Sequence, residues 1–458
     1  MSSLLNRPLR WRAPATLVAA VALGVAVAAC TSTTSSSSSA TPTSSSTTPS
    51  STTPLVVWYD AARLAFVNEY KATHPGANIK WVLYSGDNNG DGTLQSKFAL
   101  YNRTSWTPGV APDVVFDEEN YEAGWVGEPP FSDLLNLKPY IPQSVWSQDE
   151  GLGDCLINGQ LLCLRNDNAA NVLWVNTKLF AQFFPGQMPP TTWQQYVADG
   201  SSLVKSHPGY YIGEFGQPWD AETYLWGNEC PINDVTAPET LLDNPSSPNC
   251  TTIAKLIDTA LGAFTHNGPF TTAWAADKTA QHMVMDIGAI WQGTAIYPTG
   301  SSSEGPGTNV MEAYPPPVAT DGAHVTGSIG GGLWMVTAHT KQPAAAAALV
   351  EYMDTSPQIQ ENPKITQGLP AYAPDQNGWL ASLNGVFANS AATEAAIKQA
   401  AAEIWPDWSP VPWSVESIFG NTATPGLVAG GTFSSALTTL AGNIQSAAQS
   451  AGYQTKSS

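Results

Sequence analysis

The pattern that most limits this chain begins at Leu55. Leu55-Val56-Val57-Trp58 is a short, wholly apolar run, the length of a strand buried on both faces. Ala61–Thr73 follows with Leu64, Phe66, Val67 and Tyr70 at helical spacing, and His74-Pro75-Gly76 ends it. Ile79–Tyr84 reads as a second strand. Leu94–Tyr101 reads as a second helix, with Leu94, Phe98 and Tyr101 on one face, and Pro112–Phe116 as a third strand. Strand, helix, strand, helix, strand in this order demands a parallel sheet. Parallel neighbours need a crossover between them, and a helix packed on the sheet supplies one of right-handed sense.

The same grammar returns downstream. Asn171–Val175 is a strand, Thr191-Thr192-Trp193 opens a helix to Val204, and Tyr211-Ile212 starts another strand. Ile253–Phe264 is helical, Met283–Trp291 a buried strand with its exit, and Leu333–Thr337 a strand followed by an Ala-rich helix from Pro343 to Met353. Phe433–Ala448 closes the chain as a helix. No short-period repeat appears, which disfavours solenoids and propellers. From Pro54 onward the chain has roughly 400 residues, enough for two ordinary domains.

The N-terminus adds an address. Arg7, Arg10 and Arg12 precede an apolar core from Ala15 to Val27, and Val27-Ala28-Ala29-Cys30 ends it with small residues and a cysteine. This run resembles the bacterial lipobox, which implies cleavage before Cys30 and lipid attached to it. Residues 1–29 are then a signal peptide. The plain alternative is an ordinary signal in which Cys30 is incidental. Residues 31–53 are Ser and Thr apart from Ala40, Pro42 and Pro49, with no large apolar side chain to offset the ordering entropy. Residues 30–53 therefore read as a lipidated cysteine plus a disordered tether. No later apolar run reaches membrane-spanning length, so lipid is the expected anchor. Losing the three arginines with the signal takes the formal net charge from −19 to −22. Such a surface argues against nucleic acid and against anionic lipid heads as partners.

Four cysteines remain. In an exported chain an even count points to disulfides, and three pairings are open. Cys155–Cys163 and Cys230–Cys250 are favoured because each closes a short local loop; Asn158-Gly159 makes the first a hairpin. A zinc site is disfavoured, since no Cys-x-x-Cys pair and no nearby His supports it.

The order of landmarks resembles the extracellular solute-binding proteins of bacterial ATP-driven (ABC) importers, in the sugar-binding, maltose-type family 1 branch. Pro112-Asp113-Val114-Val115 is similar to that family's Pro-Asp-Val segment, and Leu137-Lys138-Pro139-Tyr140 to its Leu-x-Pro-Leu stretch. Asn158–Leu164 resembles its Gly-Lys-x-Tyr-Gly-Leu-Pro strand, without the closing Pro. Leu173-Trp174-Val175-Asn176 with Lys178, Leu179 and Phe180 resembles Leu-x-Tyr-Asn-Lys-x-Leu-Phe. Pro190–Trp193 resembles Pro-Lys-Thr-Trp. Gly330-Gly331-Gly332 before the Ala-rich helix, and Gly368-Leu369-Pro370, complete the series.

The resemblance implies an α/β, two-lobed periplasmic-binding-protein-like fold. Each lobe is a mainly parallel sheet flanked by helices, with a hinge between. It places residues 54–165 and 283–350 in lobe 1 and residues 166–282 and 351–458 in lobe 2, with crossings near Arg165–Asn168, Gln281 and Tyr352. It implies closure of both lobes on a sugar or oligosaccharide, which a membrane permease then reads. A monomer with no cofactor is expected.

In parallel sheets ligands sit beyond the carboxyl ends of strands. The candidates there are Trp58 and Asp60; Asp117, Glu118 and Asn120, with Glu119 in the same run; Asn168, beside Asn166 and Asp167; Trp219, Asp220 and Trp226; Trp291 and Gln292; and Gly331 from the Gly-rich strand. Aromatic rings pack on the C–H faces of a sugar, and carboxylates and amides match its hydroxyls. The 17 Trp suit an oligosaccharide, although most must serve packing, as Trp405, Trp408 and Trp413 are expected to do.

Other chemistries fit less well. Asp87, Asn89 and Asp91 with Gly92 resemble the opening of an EF-hand loop, but Phe98 stands where a bidentate Glu belongs, so a plain loop is the expectation and no metal is assigned. Ser202-Leu203-Val204-Lys205 and Ser247-Pro248-Asn249 match two elements of penicillin-recognising enzymes, yet Lys278-Thr279-Ala280 lacks the third element's Gly. A glycosidase would need two facing carboxyls, and Asp60 with Asp117–Glu119 falls in one lobe. A cationic solute such as a polyamine or quaternary amine would suit acids beside aromatic faces. An adhesive cell-wall protein would suit the tether but not the two-lobe landmarks.

Overall fold

Two sheets, each built where the chain crosses from one lobe to the other, organise the molecule. The computed structural model describes residues 52–84, 92–129, 131–237, 240–276, 278–301, 304–408 and 411–456, all within one unit, Pro49–Ser458. The leader, Cys30, most of the tether and the acid loop of Asp87, Asn89 and Asp91 lie outside the described residues.

The first sheet has five strands in the order Ile79–Leu83, Leu55–Tyr59, Val114–Asp117, Leu333–Val336, Cys163–Arg165. The first three run parallel, as their apolar runs and intervening helices require. Leu333–Val336 runs antiparallel to both of its neighbours. The reason is directional. Leu55–Tyr59 and Val114–Asp117 end at the cleft, whereas Leu333–Val336 begins there, having arrived from the other lobe. Phe66, Leu94, Phe98, Phe116 and Trp334 fill the core beneath, all fully buried.

The second sheet obeys the same rule. Asn171–Asn176 enters from the cleft and pairs antiparallel with Met285–Ala289 on one side and Met311–Tyr314 on the other. A parallel bridge from Met283 to Tyr211 and a parallel pair between Gly213–Glu214 and Phe264–Thr265 extend it outward. Two apolar clusters pack against it. One is built on Trp193, Tyr196, Phe215 and Tyr224 with the helix Phe433–Ser450; the other on Trp174, Tyr297 and Trp379.

This pairing corrects the expected lobe boundaries. Met285–Ala289 bonds along its whole length to Asn171–Val175, so the stretch from 283 into the 320s belongs with the second lobe. The second crossing lies at Ile329–Gly332 instead of Gln281. The third lies near Thr366–Pro370 instead of Tyr352, because the helix Pro343–Thr355 and Ile359 pack in the first core. At the first crossing the chain leaves one sheet at Arg165 and enters the other at Asn171.

The disulfides are Cys155–Cys163 and Cys230–Cys250, the two local pairings. Among the described residues no helix is long and apolar enough to cross a membrane.

Candidate ligand-binding cleft

Between the lobes lies a cleft of about 500 Å³, within the usual size of small-molecule sites. Its first-lobe wall grows out of two strand ends. Asp60 follows the first strand, and its Oδ1 accepts the Arg63 backbone N–H at 2.7 Å. The contact spans three residues and caps the turn that leads into the helix, which begins at Leu64 and not at Ala61. The same carboxylate accepts from the Arg63 guanidinium, at 3.3 Å from Nε and 3.4 Å from Nη2. Nη2 also donates to Glu118 Oε1 at 3.2 Å, and the guanidinium stands 4.2 Å from the Phe116 ring centre.

These contacts set the charges. Burial works to raise Asp60, but the Arg63 charge and hydrogen bonds from Glu118 and Arg63 outweigh it and hold that carboxyl below its ordinary value. Burial, followed by the Asp60 charge, pushes Glu118 up to about 8. Near neutral pH Asp60 is therefore an anion bound to Arg63, and Glu118 keeps its proton.

The base of the cleft is the crossing chain. Gly331 has φ +104°, and a Cβ there would fall 2.5 Å from Arg165 Nη2; Gly332 has φ +39°, and a Cβ would fall 2.3 Å from the Phe116 ring. No other residue type fits that approach. Arg165 ties the crossings together. It donates to Asp167 O at 3.0 Å, Ser328 Oγ at 3.0 Å and Gly330 O at 3.2 Å, and pairs with Asp154.

The second-lobe wall is aromatic. Trp219 and Trp291 meet edge to face, with ring centres 6.4 Å apart, and Phe270 stands beyond Trp291. Both indoles are fixed. Trp219 Nε1 donates to Glu214 Oε1 at 3.2 Å, and Trp291 Nε1 donates to Ile329 O at 2.9 Å on the crossing chain. Where the lobes meet, Glu119 faces Glu416 and Glu222. Burial first, and then these like charges, raise Glu119 and Glu222 well above the ordinary carboxyl value, and burial raises Glu416. Among the described residues no group of three or more His, Cys, Asp or Glu has metal-holding geometry.

Of the residues expected at the site, Asp60, Glu118, Glu119, Asp167, Trp219, Trp291 and Gly331 line the cleft. The others are placed elsewhere, each for a visible reason. Trp58 packs on Tyr84 and Tyr101 inside the first lobe. Asp117 is buried, accepting from Tyr84 Oη at 2.8 Å and from the Glu119 N–H at 3.3 Å. Asn120 lines a separate void of about 10 Å³ beside Tyr121 and Trp408. Asn168 pairs with Leu369 in the crossing. Asp220 accepts the Gly216 N–H at 3.1 Å at the start of its own short helix. Trp226 stacks flat on Trp408 in the second core and donates to Trp405 O. Gln292 is buried against Gly288. Ser202 and Lys205 are exposed on the helix Trp193–Ser206, and the Ser247 hydroxyl caps the helix Pro248–Asp258.

Sequence reasoning missed four of the polar and aromatic lining residues. Arg63 had a local signal, a basic residue three positions after a strand-end Asp. Phe270 had another, an aromatic in a Gly-Pro turn. Gln367 and Glu416 had none, since only the third crossing and the packing of a late helix bring them there.

A profile of the bacterial extracellular solute-binding proteins matches residues 57–361. Solved structures share the fold. The galacto-N-biose/lacto-N-biose I-binding protein of an ABC transporter from Bifidobacterium longum, in complex with lacto-N-biose, is 17% identical with a TM-score of 0.70, over 88% of this chain and 98% of that one. A transporter-associated binding protein from B. animalis subsp. lactis, in complex with β-1,6-galactobiose, is 15% identical with a TM-score of 0.67, over 88% and 99%. The cyclic α-maltosyl-1,6-maltose binding protein of Arthrobacter globiformis is 17% identical with a TM-score of 0.61, over 87% and 99%. No curated protein matches the chain.

Proposed function

We propose, from the premise that this chain belongs to the bacterial extracellular solute-binding protein family, that it captures a sugar or oligosaccharide in the interlobe cleft and delivers it to the membrane subunits of an ABC importer. The observation that carries the reading is the pairing of two unlike walls. Trp219, Trp291 and Phe270 offer ring faces from one lobe, and Asp60, Arg63 and Glu118 offer donors and acceptors from the other. A pyranose has the same two aspects, apolar C–H faces and a rim of hydroxyls. Since ligand contacts come from both lobes, ligand favours the closed state. The solved relatives named above with bound sugars support the same ligand class. The signal-like leader and Cys30 support a lipid-anchored protein on the outer face of the cytoplasmic membrane.

Catalysis is not part of this reading. Asp60 and Glu118 hydrogen-bond with each other and with Arg63 on one wall, so they cannot flank a scissile bond. A second reading, a cationic solute, is favoured by the excess of carboxyls over Arg63 in the cleft. Against it, Glu118 keeps its proton at neutral pH and burial raises Glu119 in the same direction, and a protonated carboxyl pairs with hydroxyls as both donor and acceptor.

A thermal-shift screen separates these readings. The purified protein is melted with mono- and oligosaccharides, spermidine and choline, at low salt and at about 0.5 M salt, where charges are screened within several ångströms. The expected result is stabilisation by one group of sugars, equal at both salt levels; a ligand at about 100 times its Kd contributes about 2.7 kcal/mol. Stabilisation by amines alone, lost in salt, replaces sugar by a cation.

A further inference from the structure

Phe270 occupies a position whose backbone suits glycine. Gly268-Pro269-Phe270-Thr271 is a turn closed by the Thr271 N–H donating to Gly268 O at 3.3 Å, and Phe270, third in it, has φ +65°. Proline second and a positive φ third is the pattern of a type II turn, where the third place goes to Gly or Asn because a Cβ crowds the backbone. The turn is pinned rather than loose. The Thr271 hydroxyl donates to Gly268 O at 2.7 Å and accepts the Trp274 N–H at 3.1 Å, and Trp274 is buried. Gly268 lies so close to the Gln217 side chain that a Cβ would overlap it.

Burial does not offset this strain, since Phe270 is 52% exposed. A bulky residue held at positive φ calls for another reason. Its ring supplies one. It lies on the cleft wall, within 20° of parallel to Trp291, with ring centres 6.3 Å apart. Trp219 is 9% exposed, Trp291 half-buried and Phe270 open, so the three rings run from the floor of the cleft to its mouth.

We propose that Phe270 forms an outer stacking subsite, so that the cleft takes an oligosaccharide of two or more rings in preference to a monosaccharide. This rests on the carbohydrate reading of the cleft. The inner ring sits against Trp219 and the acid wall, and the outer ring extends over Trp291 and Phe270 toward solvent. The strained turn is retained because it aims the ring.

The test is calorimetric titration of the full protein with glucose and galactose series from one to four rings, alongside Phe270→Gly, Phe270→Asn and Phe270→Trp. In the wild type, affinity should rise about tenfold on adding the outer ring. Phe270→Gly and Phe270→Asn should lose that gain, and Phe270→Trp should keep it. Without ligand, the Gly and Asn variants should melt at or above the wild-type temperature. Undiminished affinity of both variants for the longer sugars overturns the subsite and leaves the carbohydrate reading standing. Lower melting temperatures for both overturn the strain argument. A wild type that binds no member of either series overturns the carbohydrate reading and the subsite together.

Discussion

Melted without ligand, this protein is expected to be markedly more stable near pH 5 than at pH 8. The cause is a set of carboxyls that folding deprives of water. Glu118 moves from an ordinary 4.5 up to about 8 through burial and the Asp60 charge. Asp149 moves from 3.8 up to about 8 through burial, against the pull of Arg165. Glu119 and Glu222 move in the same direction. A group with a raised folded value binds its proton more tightly folded than unfolded. Its contribution is full below the unfolded value, and it is lost as pH climbs through the folded one. Glu118 and Asp149 therefore each remove about 1.4 kcal/mol per pH unit between roughly pH 5 and pH 8, and Glu119 and Glu222 act with the same sign. Asp60 has the opposite sign. Its lowered value contributes stability above about pH 4, which is lost only in stronger acid. Several groups acting together should move the melting temperature by roughly 10 °C. A melting temperature that is flat or rising from pH 5 to pH 8 would contradict the buried, protonated state of these acids.

Arg63→Met is expected to destabilise the fold by about 3–5 kcal/mol, the cost of leaving a buried charge without its partner. The Asp60 side chain is 3% exposed and accepts from Arg63 through both oxygens, so the variant strands an anion in the first lobe. Methionine keeps much of the side chain's length over the Phe116 ring but supplies no donor. Pairing it with Asp60→Asn should recover most of the loss, because the second change removes the stranded charge. Arg63→Lys should fall between, since an ammonium cannot span Asp60 and Glu118 as the guanidinium fork does. Urea unfolding of the four proteins measures this. A loss under about 1 kcal/mol for Arg63→Met would show that water already reaches the pair.

The two predictions come from residues of different legibility. Asp60 was readable, because it follows an apolar strand whose neighbours had to be parallel, and strand ends of that kind meet the cleft. The first three strands and both local disulfides were readable for the same reason: their signals lie within about ten or twenty residues. Trp226 and Asp220 misled, since a Trp and an acid after a strand look alike whether they face a cleft or a core. Only the stacking on Trp408 and the turn at Gly216 distinguish them. The lobe boundary misled further. Met285–Ala289 has the apolar run of a strand, but its partner Asn171–Val175 lies more than a hundred residues earlier, and alternation of hydrophobicity carries no record of such a pairing. Glu416 is the extreme case. It reaches the cleft on a helix near the end of the chain, beside Glu119 from the first lobe, through packing that no local pattern encodes.

The central claim is that a carbohydrate binds between the lobes, against the aromatic wall. Trp291 sits at the centre of that wall, touching Trp219, Phe270 and the crossing chain at Ile329. The direct measurement is calorimetric titration of the best-stabilising sugar into the wild type and into Trp291→Ala, with melting curves to show that both are folded. One-to-one binding by the wild type, weakened about 30- to 100-fold in the variant, is the predicted result. Equal affinity in two folded proteins would place the sugar elsewhere and contradict the account.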